Sequence, residues 1–370
     1  MVGIYRKITR WIPGVSLFFF LMAGIAGGVH LTSVFNPGFA DWFNGTVSQF
    51  LRGCMAHITS VLPFSLAEFI ILASPVILAV LIAVCLKKAS RGTRFMWRCM
   101  IGLLSVCAGL YAMFVFHFGV GYRTTSIDDK LGLDRQKVTA EELYETMAIV
   151  ADHLNELADE IILIEGNGSV RPYSHDATVD LCVESYSSLA DRYGFIPKLD
   201  VPVKQIVLSD YMTYTHISGV YTYFTGEANL NTNYPDYVNV YTTAHEMAHQ
   251  RGIARENEAN FIAYLVCITS DDPYMQYAGY LNMYDYLAGP LYSANRDYYV
   301  DILSGLSARV RYDRKCYTEF FDKYRDNAAA DVSDAVNNTY LVLQGMEEGA
   351  KSYGMVVDLA VAYHLSGAEE

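Results

Sequence analysis

Three long apolar stretches in the first 120 residues constrain what this chain can fold into. They cover residues 15–35, 63–86 and 97–118, and a helix needs roughly 20 apolar residues to cross a bilayer. Only Glu68 and Arg98 place a charge within them. Stretches of this length, so closely spaced, are typical of membrane spans rather than of soluble core helices. The sequence therefore predicts a three-span transmembrane anchor over residues 1–118.

Basic residues predict how this anchor is oriented. One cluster precedes the first span (Arg6, Lys7, Arg10), and a second lies between the second and third spans (Lys87, Lys88, Arg91, Arg94, Arg98). The intervening loop, residues 36–62, has only Arg52. Because positive residues stay cytoplasmic, we expect a multi-pass protein of the cell membrane with a cytoplasmic N-terminus. Everything after residue 118 is then extracytoplasmic.

The loop between the first two spans carries apolar residues at helical spacing. They are Trp42, Phe43, Val47, Phe50, Leu51, Met55, Ile58 and Leu62. This pattern predicts either an amphipathic helix on the outer membrane surface or a helical hairpin that packs on its neighbours.

Charge separates the anchor from the rest of the chain. After residue 118 lie 18 of the 27 Lys and Arg residues but 38 of the 40 Asp and Glu residues. A segment this acidic repels phosphates, so nucleic acid is excluded as a partner. Of the seven cysteines, only Cys182, Cys267 and Cys316 follow the anchor. Their odd number and wide separation do not indicate a disulfide scaffold.

The remainder is predicted to be a connector, residues 119–133, and one mainly helical domain, residues 134–370. Thr139 followed by acidic residues is typical of a helix start. Helices are predicted at 139–164, 177–193, 241–251, 256–268, 273–287, 292–307, 313–325, 332–348 and 353–364, and strands at 204–208 and 218–224. The expected fold class is thus α+β with a helical C-terminal lobe, anchored by three membrane helices.

Residues 245–249 carry the strongest chemical signal, the motif His-Glu-x-x-His. On a helix, His245 and His249 lie one turn apart on the same face, so both imidazoles can bind one metal ion. Glu246 can then take a proton from water bound to that metal. The ligand types favour a single zinc ion.

A catalytic zinc site needs three protein ligands and one open position. Gly252 lets the chain turn after the motif, and a second helix then brings Glu256 and Glu258 near the metal. The third-histidine pattern of the metzincins is not met, since Arg255 stands at that position. From the residues alone, Glu256 and Glu258 both remain candidates for the third ligand.

Residues 256–260, Glu-Asn-Glu-Ala-Asn, resemble the Glu-x-x-Ala-Asp signature of the gluzincin metallopeptidases. This resemblance implies that Glu256 binds zinc and that Asn260 orients a ligand histidine. Asn in place of Asp keeps a hydrogen-bond acceptor but brings no charge. The run at residues 218–231, together with the three spans and the motif, is similar to the bacterial domain-of-unknown-function 3810 family. That resemblance implies a membrane-anchored, zincin-like protein with a peptidase-like zinc site and no known substrate.

The segment before the motif supplies candidate substrate contacts. Zincins usually place an edge strand above the active-site helix, where an extended peptide pairs with it. Residues 219–225 are predicted to be this strand, with contacts from Gly219, Tyr221 and Tyr223. Further candidates are His216, as a donor to the oxyanion, and Glu227 and Asn229, which either contact substrate or hold a turn.

Together these features predict a membrane-bound zinc metallopeptidase that acts on a peptide or protein substrate. The alternative is a non-catalytic sensor or scaffold that keeps the zinc site for structure or regulation. An intact Glu246 favours the enzyme, since a structural site has no use for that carboxylate. The sequence leaves the substrate and the oligomeric state open.

Overall fold

The computed structural model describes residues 11–88, 92–344, 346 and 355–367 of the chain. The protein is mainly helical, as the sequence predicts. It divides into two compact units. Of the described residues, the first unit contains those up to residue 124 together with the short segment 222–227, and the second contains the remainder.

The first unit is built of helices. In chain order they are α1 (Gly14–Phe35), α2 (Pro37–Phe43), α3 (Gln49–Ser60), α4 (Leu66–Lys87) and α5 (Thr93–His117), with a π-helical turn at Asn44–Ser48 and a 3-10 turn at Gly119–Arg123. Helices α1, α4 and α5 are long and apolar enough to cross a membrane, which confirms that the three predicted segments are helices of membrane length. The most apolar 18 residues of α4 include no buried residue, as expected of a helix surrounded by lipid.

The loop between the first two spans is helical, as its apolar spacing predicts. Phe43 of α2 packs in one small core with Ala26 of α1 and with Ala112 and Val115 of α5. In addition, buried Arg52 of α3 donates to the carbonyl of His117 at 2.8 Å. The apolar face of this loop therefore packs in part on its neighbours, as a hairpin does. Whether it also lies on the outer membrane surface stays a prediction.

The second unit combines many helices with short strands. In chain order its elements are α6 (Ile127–Leu131), α7 (Ala140–Leu157), β1 (Leu163–Ile164), β2 (Gly168–Ser169), α8 (His175–Arg192), β3 (Lys204–Gln205), α9 (Ser209–Thr213), β4 (Gly219–Thr222), β5 (Glu227–Leu230), α10 (Asp236–Gln250), α11 (Glu256–Thr269), α12 (Pro273–Ala294), α13 (Arg296–Gly305), α14 (Ala308–Phe321), α15 (Ala328–Leu343) and α16 (Val356–Leu365). The core is centred on α10, α11 and α12, where Met247, Phe261, Ile262 and Leu281 are fully buried.

The predicted starts of α7, α8, α11 and α12 lie within two residues of those observed, whereas α10, α13, α14 and α15 begin four or five residues from their predicted starts. Thr139 caps α7 by accepting from the N–H of Glu142, whose side chain accepts in turn from the N–H of Thr139. The predicted end of α12 at residue 287 is wrong, because the helix continues through Pro290 to Ala294. Proline removes one helix hydrogen bond, but Leu287 and Leu291 on either side of it are fully buried. Their packing keeps this last part of the helix intact.

Two small sheets complete the second unit. Strands β1 and β2 form an antiparallel hairpin. The prediction of a helix over residues 139–164 is wrong at its end, because the helix ends at Leu157 and residues 163–164 form β1. The other sheet has the order β3-β5-β4, and β3 pairs with β5 in parallel, with Lys204 opposite Asn229. Strand β5 was expected to be a turn, but it is the central strand. Strand β4 therefore lies at an edge of this sheet.

Candidate metal centre

The turn between α10 and α11 places the chain's strongest motif. Gly252 has a φ of 92°, in the left-handed region that favours glycine. Its N–H donates to the carbonyl of His249 at 2.9 Å, and the N–H of Ile253 donates to that of Ala248 at 3.1 Å. This pair of hydrogen bonds is the Schellman arrangement that ends a helix. The predicted turn at Gly252 is thus present, and it returns the chain so that α11 begins at Glu256.

Three side chains converge where α10 meets α11. Oε2 of Glu256 lies 3.3 Å from Nε2 of His245 and 3.5 Å from Nε2 of His249. Ligand atoms of all three residues lie within 4.8 Å of one another, a grouping that could hold a metal ion. The side chains are 7–13% exposed, so the site is largely shielded from solvent but still reachable.

The charges of these three residues influence one another's pKa values. Burial by itself would lower the pKa of His249, but the Glu256 carboxylate more than offsets this and raises it to about 9. Burial would also raise the pKa of Glu256, and the neighbouring His249 and His245 instead hold it far below its usual range. Without a metal, the site therefore favours an imidazolium paired with a carboxylate.

The orientation of His249 is fixed from the backbone. Its Nδ1 lies 2.7 Å from the carbonyl oxygen of Ile253. An N–H at Nδ1 donates to this carbonyl, and Nε2 faces Glu256. Metal-binding histidines commonly use the second nitrogen in this way. This contact could not be predicted from the sequence, because its acceptor is a main-chain group that no side-chain pattern marks.

Asn260, the residue expected to orient a ligand histidine, is buried beside the site. Its carbonyl accepts from the hydroxyl of Tyr241 at 2.7 Å. Within the described ranges, neither its Nδ2 nor Nδ1 of His245 has a hydrogen-bond partner. The structure thus shows no contact through which Asn260 orients a histidine, and that role stays a prediction.

Glu258, the competing candidate for the third ligand, is placed elsewhere. Its Oε1 accepts from Nη1 of Arg255 at 2.6 Å and from the backbone N–H of Ile127 at 3.1 Å. This carboxylate therefore connects α6 to the start of α11. Of the two glutamates, it is Glu256 that the structure brings to the histidines.

Glu246 is buried on the neighbouring face of α10, with 4% of its surface exposed. Strand β4 covers it, and its carboxylate accepts a hydrogen bond from the N–H of Tyr221. Burial raises the pKa of Glu246 to about 7, against the opposing charges of His245 and His249. A carboxylate whose pKa is near neutrality can both take and release a proton at physiological pH.

The predicted substrate-contact residues are distributed over several places. Gly219 and Tyr221 lie on the edge strand β4, over α10. Asn229 on β5 donates from Nδ2 to the carbonyl of Val220 at 3.1 Å, which holds the two strands together. The ring of His216 lies against Phe321, with centroids 4.7 Å apart. These contacts leave substrate binding by any of the four candidates a prediction.

The other two candidates belong to the first unit. The ring of Tyr223 packs edge-on against Phe114, with centroids 5.3 Å apart. The carboxylate of Glu227 accepts from the backbone N–H groups of Leu66 and Ala67 at 3.1 and 2.9 Å. It therefore caps the N-terminus of α4, where the helix dipole favours a negative charge. This contact gives Glu227 a structural role besides the predicted one.

An aromatic stripe leads up to the histidines. Tyr237, Tyr241, His245 and His249 follow one another at intervals of four residues on α10, so they share one face of the helix. The ring of Tyr286 on α12 packs against Tyr241, with centroids 6.4 Å apart. The spacing of this stripe is visible in the sequence, but the stripe is not among the predicted features of the site.

These features define a mainly helical protein with three membrane-length helices and a candidate two-histidine, one-glutamate metal centre. The chain belongs to the family described as protein of unknown function (DUF3810), whose family model matches residues 43–361. The resemblance to this family is thereby confirmed. Comparisons with curated proteins and with solved structures found no match.

Proposed function

We propose that this protein is a membrane-anchored zinc metallopeptidase. The convergence of His245, His249 and Glu256 is the observation that carries the proposal. Zinc–ligand bonds of about 2.0–2.1 Å at tetrahedral angles separate neighbouring ligand atoms by about 3.3–3.4 Å. The separations of 3.3 and 3.5 Å from Glu256 to the two imidazoles agree with this geometry. The donor set of two imidazoles and one carboxylate is also typical of catalytic zinc.

The residues around this centre suit hydrolysis of a peptide bond. Zinc, when bound, polarises a carbonyl and lowers the pKa of water. Glu246 then takes a proton from the attacking water and returns it to the leaving amine. Its pKa of about 7 supports both steps. Strand β4, as an edge strand, presents backbone groups with which an extended peptide can pair.

A non-catalytic zinc protein is the competing proposal. A structural zinc site is normally closed by four protein ligands, whereas three are found within the described part of the chain. A buried carboxylate next to the site also costs folding free energy. Within those residues, Oε2 of Glu246 has no hydrogen-bond partner, so the hydrogen bond from the N–H of Tyr221 offsets only part of this cost. Both observations favour the enzyme.

We also propose that the metal centre lies on the outer side of the membrane. Both basic clusters lie next to the ends of predicted spans, and the positive-inside rule places these ends in the cytoplasm. The second unit then faces outward. Its substrate would be a peptide or protein outside the cytoplasm.

The first test uses the full-length protein in detergent. We expect elemental analysis to find one zinc ion per chain and a broad library of quenched peptides to be hydrolysed, with activity lost on chelation. Glu246→Gln should retain zinc and lose activity by about 10²- to 10⁴-fold, because it cannot accept a proton. Glu184→Gln, which removes an exposed carboxylate from α8, is the matched control and should retain both properties.

Two results would contradict the proposal in different ways. Full activity in Glu246→Gln would exclude this residue as the base. Stoichiometric zinc in a protein that hydrolyses no peptide in the library would instead favour the sensor or scaffold.

A further inference from the structure

A pocket of about 760 Å³ opens in the second unit between α10, α12 and α14. Its walls include Tyr237 of α10, Asp285 and Tyr286 of α12, and the basic residues Arg311, Arg314 and Lys315 of α14. Pockets of about 300–1,000 Å³ are typical of sites that bind small molecules or single groups of larger ligands. This one is therefore large enough for one or two amino-acid side chains.

The pocket lies along the same face of α10 as the candidate metal centre. Tyr237 precedes His245 by two turns, a rise of about 12 Å along the helix. Tyr286 lines the pocket and also packs against Tyr241, which lies between these two positions. Through the contact with Tyr241, Tyr286 thus connects the pocket to the helix face that carries His245.

The charge of this pocket is opposite to that of its surroundings. Arg314 donates from Nε to Asp285 at 2.8 Å, so these two charges compensate each other. Arg311 makes no ion pair within the described residues, and Lys315 pairs only with exposed Glu319, at 3.5 Å. Such exposed pairs are weak. Two positive charges therefore remain in a part of the chain that is otherwise strongly acidic, and they attract an anionic group into the pocket.

We infer that this pocket binds a carboxylate of the peptide substrate. The inference rests on the proposed peptidase function and names the class of substrate. A peptide that extends from the metal centre covers about 12 Å in three to four residues. Preferred substrates then carry a carboxylate about three to four residues from the scissile bond. The carboxylate belongs either to an acidic side chain or to the peptide C-terminus.

Binding can be measured separately from hydrolysis. The probe is a set of fluorescein-labelled nonapeptides of alanine and serine, in which one position at a time is Glu or Gln. Each is made with a free or an amidated C-terminus, which distinguishes the two sources of the carboxylate. Fluorescence anisotropy measures peptide binding to full-length, zinc-loaded Glu246→Gln protein, which should bind without turnover.

The pocket variants are made in this Glu246→Gln protein. They are Arg311→Gln, Lys315→Gln and the double variant. The control is Lys323→Gln, which removes an exposed charge outside the pocket.

We expect one carboxylate position to improve affinity about tenfold over its neutral counterpart. Arg311→Gln and Lys315→Gln should each reduce this preference, and the double variant should abolish it. Lys323→Gln should leave it unchanged. Raising NaCl to about 0.5 M should weaken it, because the basic residues are solvent-accessible.

Absence of any carboxylate preference, or a preference that survives in the double variant, would overturn the inference. Hydrolysis by the wild type is assayed in parallel and separates the two proposals. A carboxylate preference without hydrolysis upholds the pocket and refutes the peptidase. Hydrolysis without a carboxylate preference refutes the pocket alone.

Discussion

The backbone of Gly219 lies directly against the carboxylate of Glu246. A β-carbon at position 219 would stand 2.6 Å from Oε1 of Glu246 and 2.6 Å from Cγ2 of Thr242. Only glycine allows strand β4 to approach α10 this closely. The N–H of Tyr221, two residues along the strand, can therefore donate to the same carboxylate. Strand β4 thus holds Glu246, the proposed general base, in place.

Replacement of this glycine should impair catalysis without affecting metal binding. In Gly219→Ala, the added methyl group displaces either β4 or Glu246. A displacement of about 1 Å at a catalytic group costs about 10²-fold in rate, so we expect kcat/KM for peptide hydrolysis to fall by about that factor. Zinc content should not change, because the atoms nearest to the added methyl group belong to Glu246 and Thr242 and not to the three proposed ligands.

Gly194→Ala is the matched control, since a β-carbon there meets nothing within 4 Å. It should retain wild-type kinetics. If Gly219→Ala also kept full activity, strand β4 could not be positioning Glu246.

The third metal ligand can be identified by a pair of conservative variants. Glu256→Gln removes the carboxylate that faces both histidines, and we expect zinc affinity to fall at least tenfold. Glu258→Gln should retain zinc. It should instead lower the free energy of unfolding by about 1–3 kcal/mol, because it weakens the hydrogen bonds to Arg255 and to the N–H of Ile127.

Competition with a chromophoric chelator measures the affinity, and urea denaturation measures the stability. Loss of zinc in Glu258→Gln with retention in Glu256→Gln would reverse the ligand assignment.

Local features of the sequence predict much of this structure. The three membrane-length helices follow from long apolar runs in the sequence, and α7 begins at the predicted Thr139 cap. The residues from His245 to Gly252 carry both the metal-ligand spacing and the signal that ends α10. Each of these predictions depends on residues a few positions apart, whose geometry is fixed by the helix itself.

Long-range packing determines what the sequence analysis could not predict. Strand β5 has no clear strand pattern of its own, and it is a strand because β3 and β4 pair with it on both sides. Glu256 and Glu258 differ by two positions on one helix, so only the packing of α11 decides which of them meets the histidines. The carbonyl of Ile253 is a main-chain group, and its contact with His249 leaves no trace in residue identity.

The proposed orientation predicts the location of reporter fusions. Alkaline phosphatase is active only outside the cytoplasm, so a fusion after residue 370 should be active. A fluorescent protein that matures only in the cytoplasm should be dark at the same position. Fusions after residues 62 and 90 provide internal controls, because the positive-inside rule places the first outside and the second inside. A cytoplasmic signal from the fusion after residue 370 would place the second unit on the other side of the membrane.

Metal binding should release protons, because His249 and Glu256 hold a proton in the metal-free site. The pKa of His249 is raised to about 9, so its imidazole is protonated at pH 7. A metal ion binds only the neutral imidazole. In Glu246→Gln, zinc should therefore displace about one proton at pH 7, and the number should fall towards zero as the pH rises above about 9. The wild type should release more protons, since a pKa of about 7 leaves Glu246 partly protonated.

Isothermal titration of the metal-stripped full-length protein with zinc, in buffers of different ionisation enthalpy, gives the number of protons released. Equal heats in all buffers at pH 7 would mean that no proton is held between His249 and Glu256.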